Sequence, residues 1–140
     1  MIRKFRKTDI SRIADIWLDA NIKAHYFIPS QYWKDNFELV KEMFLQAEIY
    51  VYEDKNQIQG FIGLDNCYIA GIFVCSEAQS LGIGKRLLDF AKSIKEQLSL
   101  SVYQKNTRAI KFYQRENFMI KCEETDNDTG EKEYFMIWMT

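Results

Sequence analysis

Ala78 to Lys92 reads AQSLGIGKRLLDFAK. Gly82 and Gly84 stand one residue apart, the cations Lys85 and Arg86 follow, and an apolar run continues at helical spacing. The pattern predicts a loop that turns into a helix. Glycine lets a backbone come close to a ligand and leaves amides free. At a helix N-terminus those amides lie along a dipole that favours an anion, so phosphate is the natural guest. A glycine turn with no ligand is the alternative reading of the same residues.

Counting excludes two familiar phosphate loops. A P-loop puts glycine five residues before its second glycine and Ser or Thr after the lysine, where this chain has Gln79 and Arg86. A dinucleotide fingerprint requires a third small residue where Leu87 stands, and it sits in the first β-α unit.

Working outward, CYIAGIFV (67–74) just before the loop is almost continuously apolar, as suits a strand in the middle of a sheet. Upstream, EIYVYED and QIQGFIGL alternate and are rich in β-branched and aromatic residues, which predicts a hairpin across the turn DKNQ. Asp65-Asn66 supplies a further turn. IRKF opens the chain as a short strand, with Thr8 as N-cap of a helix carrying Ile10, Ile13, Ala14, Trp17 and Leu18. Pro29 breaks the pattern, and Ser30 caps a second helix with Trp33, Phe37, Val40, Phe44 and Leu45 on one face.

Downstream of the loop the helix is expected over Gly84 to about Gln97. LSLSVY then reads as a strand, NTRAIKFYQRE as a helix capped by Asn106, and FMIKCEE and EYFMIWM as two closing strands. The expected order is β-α-α-β-β-β-α-β-α-β-β, an α/β fold with a mixed sheet flanked by helices. The 140 residues, without repeat or linker, suit one domain over 1–140.

The totals narrow the function classes. A composition of 47% apolar and 28% charged residues is that of a globular protein. With 19 basic against 20 acidic side chains, no electrostatic footprint for nucleic acid exists. No stretch approaches the roughly 18 apolar residues of a membrane span, and the basic MIRKFRKTD leads into no apolar signal core, so a cytoplasmic protein is expected. Cys67, Cys75 and Cys122 lack any C-x-x-C spacing and read as reduced thiols, with no metal site.

Two motifs carry a resemblance. Ile72-Phe73-Val74 followed by Gln79-Ser80-Leu81-Gly82-Ile83-Gly84 is similar to the Gln/Arg-x-x-Gly-x-Gly/Ala loop of the GNAT superfamily of N-acetyltransferases, and LSVYQKNTRAIKFYQRENF resembles that superfamily's second motif. Asn106, Ala109, Phe112, Tyr113 and Phe118 stand in register with it. Within the superfamily the chain looks closest to small bacterial protein acetyltransferases that modify lysine or N-terminal alanine.

The resemblance implies a GNAT fold with splayed central strands and acetyl-CoA as co-substrate. Backbone groups of Ile72, Phe73 and Val74 would pair with the pantetheine arm. The loop Gln79, Ser80, Leu81, Gly82, Ile83, Gly84 and Lys85 would hold the pyrophosphate, and Asn106 would contact the arm. Tyr113 is the family's general acid, a phenol of pKa about 10 that can protonate a leaving thiolate. Close relatives often carry a glutamate between the leucine and valine of the fifth strand, where this chain has Ser101.

His25, the single histidine, falls between the first two helices on the acceptor side and is the candidate base, with an ordinary pKa near 6.5. Tyr26, Phe27, Tyr32 and Trp33 are candidate linings of an acceptor pocket. Glu123, Glu124, Asp126, Asp128, Glu131 and Glu133 in the closing hairpin would attract a cationic amine or a basic peptide. The expected activity is acetyl transfer to a primary amine of a protein or peptide. A small-molecule amine and a non-catalytic acyl-CoA-binding module are the alternatives, in a monomer or a homodimer.

Overall fold

The computed structural model describes residues 1–140. Seven strands form one sheet: β1 (Ile2–Lys4), β2 (Glu48–Asp54), β3 (Gln57–Asp65), β4 (Tyr68–Val74), β5 (Gln97–Tyr103), β6 (Met119–Thr125) and β7 (Lys132–Met139). Five helices accompany them: α1 (Ile10–Ala24), α2 (Ser30–Asp35), α3 (Phe37–Phe44), α4 (Ile83–Ile94) and α5 (Thr107–Arg115). Short 3₁₀ turns precede α1 at Lys7–Asp9 and follow β4 at Ser76–Ala78.

The strand order is β1-β2-β3-β4-β5-β7-β6, and every pairing is antiparallel except β4 with β5. That one parallel pair joins only Tyr68 to Ser99 and Ile69 to Leu100, after which the strands part. Next to the parting, the β3–β4 register shifts between Gly63 and Leu64, a bulge that re-aims β4. Helices cover both faces. Phe44 of α3 packs on Phe61, with ring centroids 5.5 Å apart, while a Cβ on the preceding Gly60 would touch Ile83 of α4. Neighbouring strand residues point to opposite faces, so α3 and α4 lie on opposite sides of the sheet.

The core is one cluster of 25 buried residues, with Phe61, Ile62, Leu87, Leu88, Leu98, Leu100 and Met136 among the most completely enclosed. Turn chemistry follows the residues. Lys55 and Asn56, both at positive φ, close the β2–β3 hairpin, and Asn66 does the same for β3–β4. Asn117 ends α5 at φ 72, a conformation Asn tolerates better than most residues.

The sequence reading needs four local corrections. Thr8 does not cap α1. Asp9 occupies that place, its carboxylate accepting from the Arg6 amide at 2.8 Å. Ser30 is the first residue of α2 and makes no capping bond. The expected single second helix is two, because Asn36 at φ −94, ψ −1 turns its side chain back to donate to the Tyr32 carbonyl at 2.7 Å. Finally, α4 stops at Ile94, since Lys95 is already extended and Gln97 belongs to β5.

The N-terminus is held by a compact ion cluster. Arg3 donates two bonds to Asp9 at 2.9 and 3.0 Å and two to Glu53 at 3.0 and 3.3 Å. Side-chain exposure is 12% for Arg3 and 8% for Asp9, so both groups are largely out of water. The Arg3 hydrogen bonds hold the Asp9 carboxyl below its ordinary pKa.

Candidate active site

The parting of β4 from β5 opens a groove of about 960 Å³. Ile72, Phe73 and Val74 line it from β4, where β5 offers no partner. Beyond them the chain turns through the 3₁₀ segment into the glycine loop. Gln79 donates from Nε2 to the Val74 carbonyl at 3.3 Å, fixing the loop to the strand end. Ser80 and Gly82 take positive φ values of 67 and 80, and Arg86 resumes helical bonding to the Gly82 carbonyl at 3.1 Å.

This path leaves the amides of Ser80, Leu81, Gly82, Ile83, Gly84 and Lys85 without a backbone acceptor. Six consecutive free donors at the start of a helix form a cradle suited to a pyrophosphate. Of the predicted cofactor residues only Leu81 lies outside the groove lining, its side chain 65% exposed. The Lys85 ammonium is engaged by Asp89 at 3.0 Å and Glu116 at 3.1 Å, which leaves its amide as the group free for a phosphate. Arg108, which the sequence reading did not single out, also lines the groove and donates to Ser80 Oγ at 3.3 Å. Its position on the first turn of α5 was the only clue.

Tyr113 comes from α5 and is 8% exposed, its ring against Phe112 and Phe118. It lines the groove, and its hydroxyl bonds no protein group yet is not among the polar atoms sealed from solvent. Burial raises its pKa, with Tyr68 adding to the effect, so the phenol keeps its proton. Asn106 caps α5 by accepting from the Ala109 amide at 3.2 Å, and its Nδ2 meets His25 Nε2 at 3.3 Å. Asn106→Ala is expected to cost about 1 kcal/mol from the lost cap alone, read as a lower denaturant midpoint with unchanged slope.

His25 sits at the end of α1, stacked on Trp33 at 5.3 Å and edged by Tyr103 at 5.0 Å and Phe27 at 5.6 Å. Burial pushes the imidazole down to about 4, so it is neutral at ordinary pH. Its Nε2 faces an amide donor, which assigns the ring proton to Nδ1, and that atom is buried without a partner. Such a ring is engaged and weakly basic, which departs from what the expected base requires.

The far end of the groove lies where α1 gives way to α2, opposite the β6–β7 hairpin. Ser101 and Tyr103 of β5 pair with Phe135 and Glu133 of β7, and Glu133 in turn pairs with Glu124 of β6. Paired residues share a face, so these side chains gather on one side of the sheet. Tyr103 donates its hydroxyl to Asp126 at 2.5 Å and Ser101 lies 3.5 Å from Glu124 Oε2. The Glu133 carboxylate has no bonding partner, and burial, aided by Asp126 and Glu124, pushes its pKa up. Ser76 donates to Asp19 of α1 at 2.8 Å and so ties the loop after β4 to α1.

No group of His, Cys, Asp and Glu is arranged to hold a metal ion, and no helix is long and apolar enough to cross a membrane. Residues 46–120 match the family described as acetyltransferase (GNAT) domain. Over 140 residues the chain is 33% identical to the peptidyl-lysine N-acetyltransferase YiaC of Escherichia coli, covering 99% of this chain and 96% of that one. The apo solution structure of YjaB from Escherichia coli superposes with a TM-score of 0.87 at 21% identity, covering 98% and 95% of the two chains. The PaiA N-acetyltransferase of Thermoplasma acidophilum, solved in complex with coenzyme A, superposes at 0.85 with 18% identity and covers 100% and 98%. A family match over more than half the chain, on a sheet opened where a pantetheine arm would enter and a loop of free amides where a pyrophosphate would rest, makes this protein a member of the GNAT acetyltransferases, an N-acetyltransferase dependent on acetyl-CoA.

Proposed function

We propose that this enzyme acetylates lysine side chains of proteins, by direct transfer from acetyl-CoA with both substrates bound. The observation that carries the reading is Glu133 in the groove wall, with Glu124 opposite it in the sheet and Asp126 close enough to act on its charge, none of the three in an ion pair. Negative charge at an entrance raises the local concentration of a cationic acceptor. The 33% identity to a peptidyl-lysine N-acetyltransferase supports the same acceptor class.

Roles follow from position. The amides of Ser80 to Lys85 bind the pyrophosphate, and the unpaired edge of β4 at Ile72, Phe73 and Val74 aligns the pantetheine arm as a neighbouring strand would. The acetyl thioester supplies the activated carbonyl. Tyr113 holds a proton at its hydroxyl within the groove and delivers it to the departing sulfur. Asn106 and His25 act together, the amide orienting the imidazole and the imidazole closing the aromatic wall on the acceptor side. Holding both reactants in one groove replaces a bimolecular encounter with an intramolecular one, the largest service such a site offers.

The reading is tested by following free-thiol release from acetyl-CoA with lysine-containing peptides, polyamines and free amino acids, with mass spectrometry to locate the acetyl group. Turnover with ε-acetyl-lysine as product is expected. Turnover on polyamines or free amino acids with none on peptides would reassign the acceptor.

A further inference from the structure

Glu133 is the one carboxylate that lines the groove beyond the acid-bearing α5 without being engaged by any other side chain. Its surroundings come from four elements. Tyr103 of β5 pairs with it in register but gives its hydroxyl to Asp126, and Glu124 of β6 lies directly opposite. Tyr32 of α2 feels its charge together with that of Asp126, and His25 at the end of α1 shares the lining as a neutral ring. Lys105, just past β5, is held by Glu131 at 3.2 Å. No cation is turned toward Glu133, although like charges directly opposite one another in a sheet are unfavourable.

A half-buried carboxylate kept without a counter-ion costs stability unless a cation arrives to meet it. Trp33 is 7% exposed, lines the same groove, and keeps an indole N–H with no partner. On β5, Ser101 stands two residues before Tyr103, the strand partner of Glu133, so the Ser101 side chain is on the same face. β5 presents a hydroxyl to the groove there, and the carboxylate comes from the neighbouring strand.

We propose that Glu133 is a catalytic residue that receives the ammonium of the acceptor and takes its proton. The inference rests on the cationic-amine acceptor proposed above. A lysine ammonium, of ordinary pKa about 10.4, gives one proton to a Glu133 oxygen, and the freed nitrogen lone pair attacks the thioester carbonyl. The carbon–nitrogen bond forms and the carbon–sulfur bond breaks. Sulfur takes the Tyr113 proton, and the second proton lost by nitrogen restores Tyr113 through solvent. Glu133 releases its proton to water, so the balance is one ammonium and one thioester in, one amide, one thiol and one proton out.

Steady-state kinetics of the full chain with a lysine peptide test this. Glu133→Gln is expected to lower kcat/KM for the peptide about a hundredfold, with the KM for acetyl-CoA unchanged. Glu133→Asp should recover part of the loss, and the rise of peptide KM with salt expected of the parent should flatten in Glu133→Gln. A Glu133→Gln enzyme within threefold of the parent overturns the proposal, as does an equal loss in Glu133→Asp and Glu133→Gln accompanied by a raised KM for acetyl-CoA. Should Glu133→Gln fail to fold, Glu133→Ala takes its place, and a kcat/KM within threefold of the parent would overturn the proposal equally. If the parent ignores lysine peptides but acetylates another amine, the lysine reading falls on that result alone, and the same comparison on that amine still decides Glu133.

Discussion

Tyr113→Phe is expected to lower kcat about a hundredfold while leaving the KM for acetyl-CoA within twofold. The substitution removes one oxygen and keeps the ring that packs on Phe112 and Phe118, so the groove retains its shape. What is lost is the proton held at the one groove-facing hydroxyl of α5 that bonds no protein group. Because burial raises the Tyr113 pKa above its ordinary value near 10, the phenol stays protonated across the working range, and the parent should show no loss of kcat from this group below about pH 10. Stopped-flow thiol release on both proteins gives the comparison. A Tyr113→Phe rate within threefold of the parent would move the acid elsewhere, and a large rise in KM for acetyl-CoA would make Tyr113 a binding residue instead.

Arg3→Met should destabilise the fold by about 3 kcal/mol, a fall of roughly 10 °C in the midpoint of thermal unfolding. The methionine fills similar space but leaves Asp9 and Glu53 facing each other with no cation between them. The Arg6 amide still donates to Asp9, which keeps the loss from the upper end of the usual range. The pH dependence has a definite sign. Asp9 is held below its unfolded value, so its contribution is complete above about pH 5 and disappears as pH falls through the native pKa. The difference between parent and Arg3→Met is therefore largest near neutrality and shrinks on acidification. Urea midpoints measured at pH 7 and pH 3 would show it, and a difference independent of pH would assign the cost to packing rather than to the ion cluster.

The parts of the site that were legible in the sequence are those whose chemistry is local. The glycine loop declares itself because Gly82 needs a positive φ and the helix begins one residue later. Asn106 reads as a cap because its side chain bonds an amide three residues on, a contact contained within four residues. The helix break at Asn36 was hidden, since the apolar period runs on through Phe37, Val40 and Phe44 and only a side-chain bond to Tyr32 interrupts it. The sequence puts His25 between the first two helices, where it lies, but its enclosure also needs Trp33 from α2 and Tyr103 from β5, beside Phe27 of its own connection. Tyr103 and Glu133 were the least legible, because β7 inserts between β5 and β6, and no run of consecutive residues announces that order.

That the sheet is joined across its middle by only two residue pairs, Tyr68 with Ser99 and Ile69 with Leu100, has a thermodynamic consequence. The two half-sheets are fastened at one end and open at the other, so a ligand that lies along the free edge of β4 closes the seam and binds the folded state alone. Stability is then linked to ligand concentration, gaining about 2.7 kcal/mol at a hundredfold excess over the dissociation constant. The protein's resistance to unfolding and proteolysis should follow the supply of acetyl-CoA, so that the abundance of the enzyme, as well as its rate, responds to the metabolite it consumes.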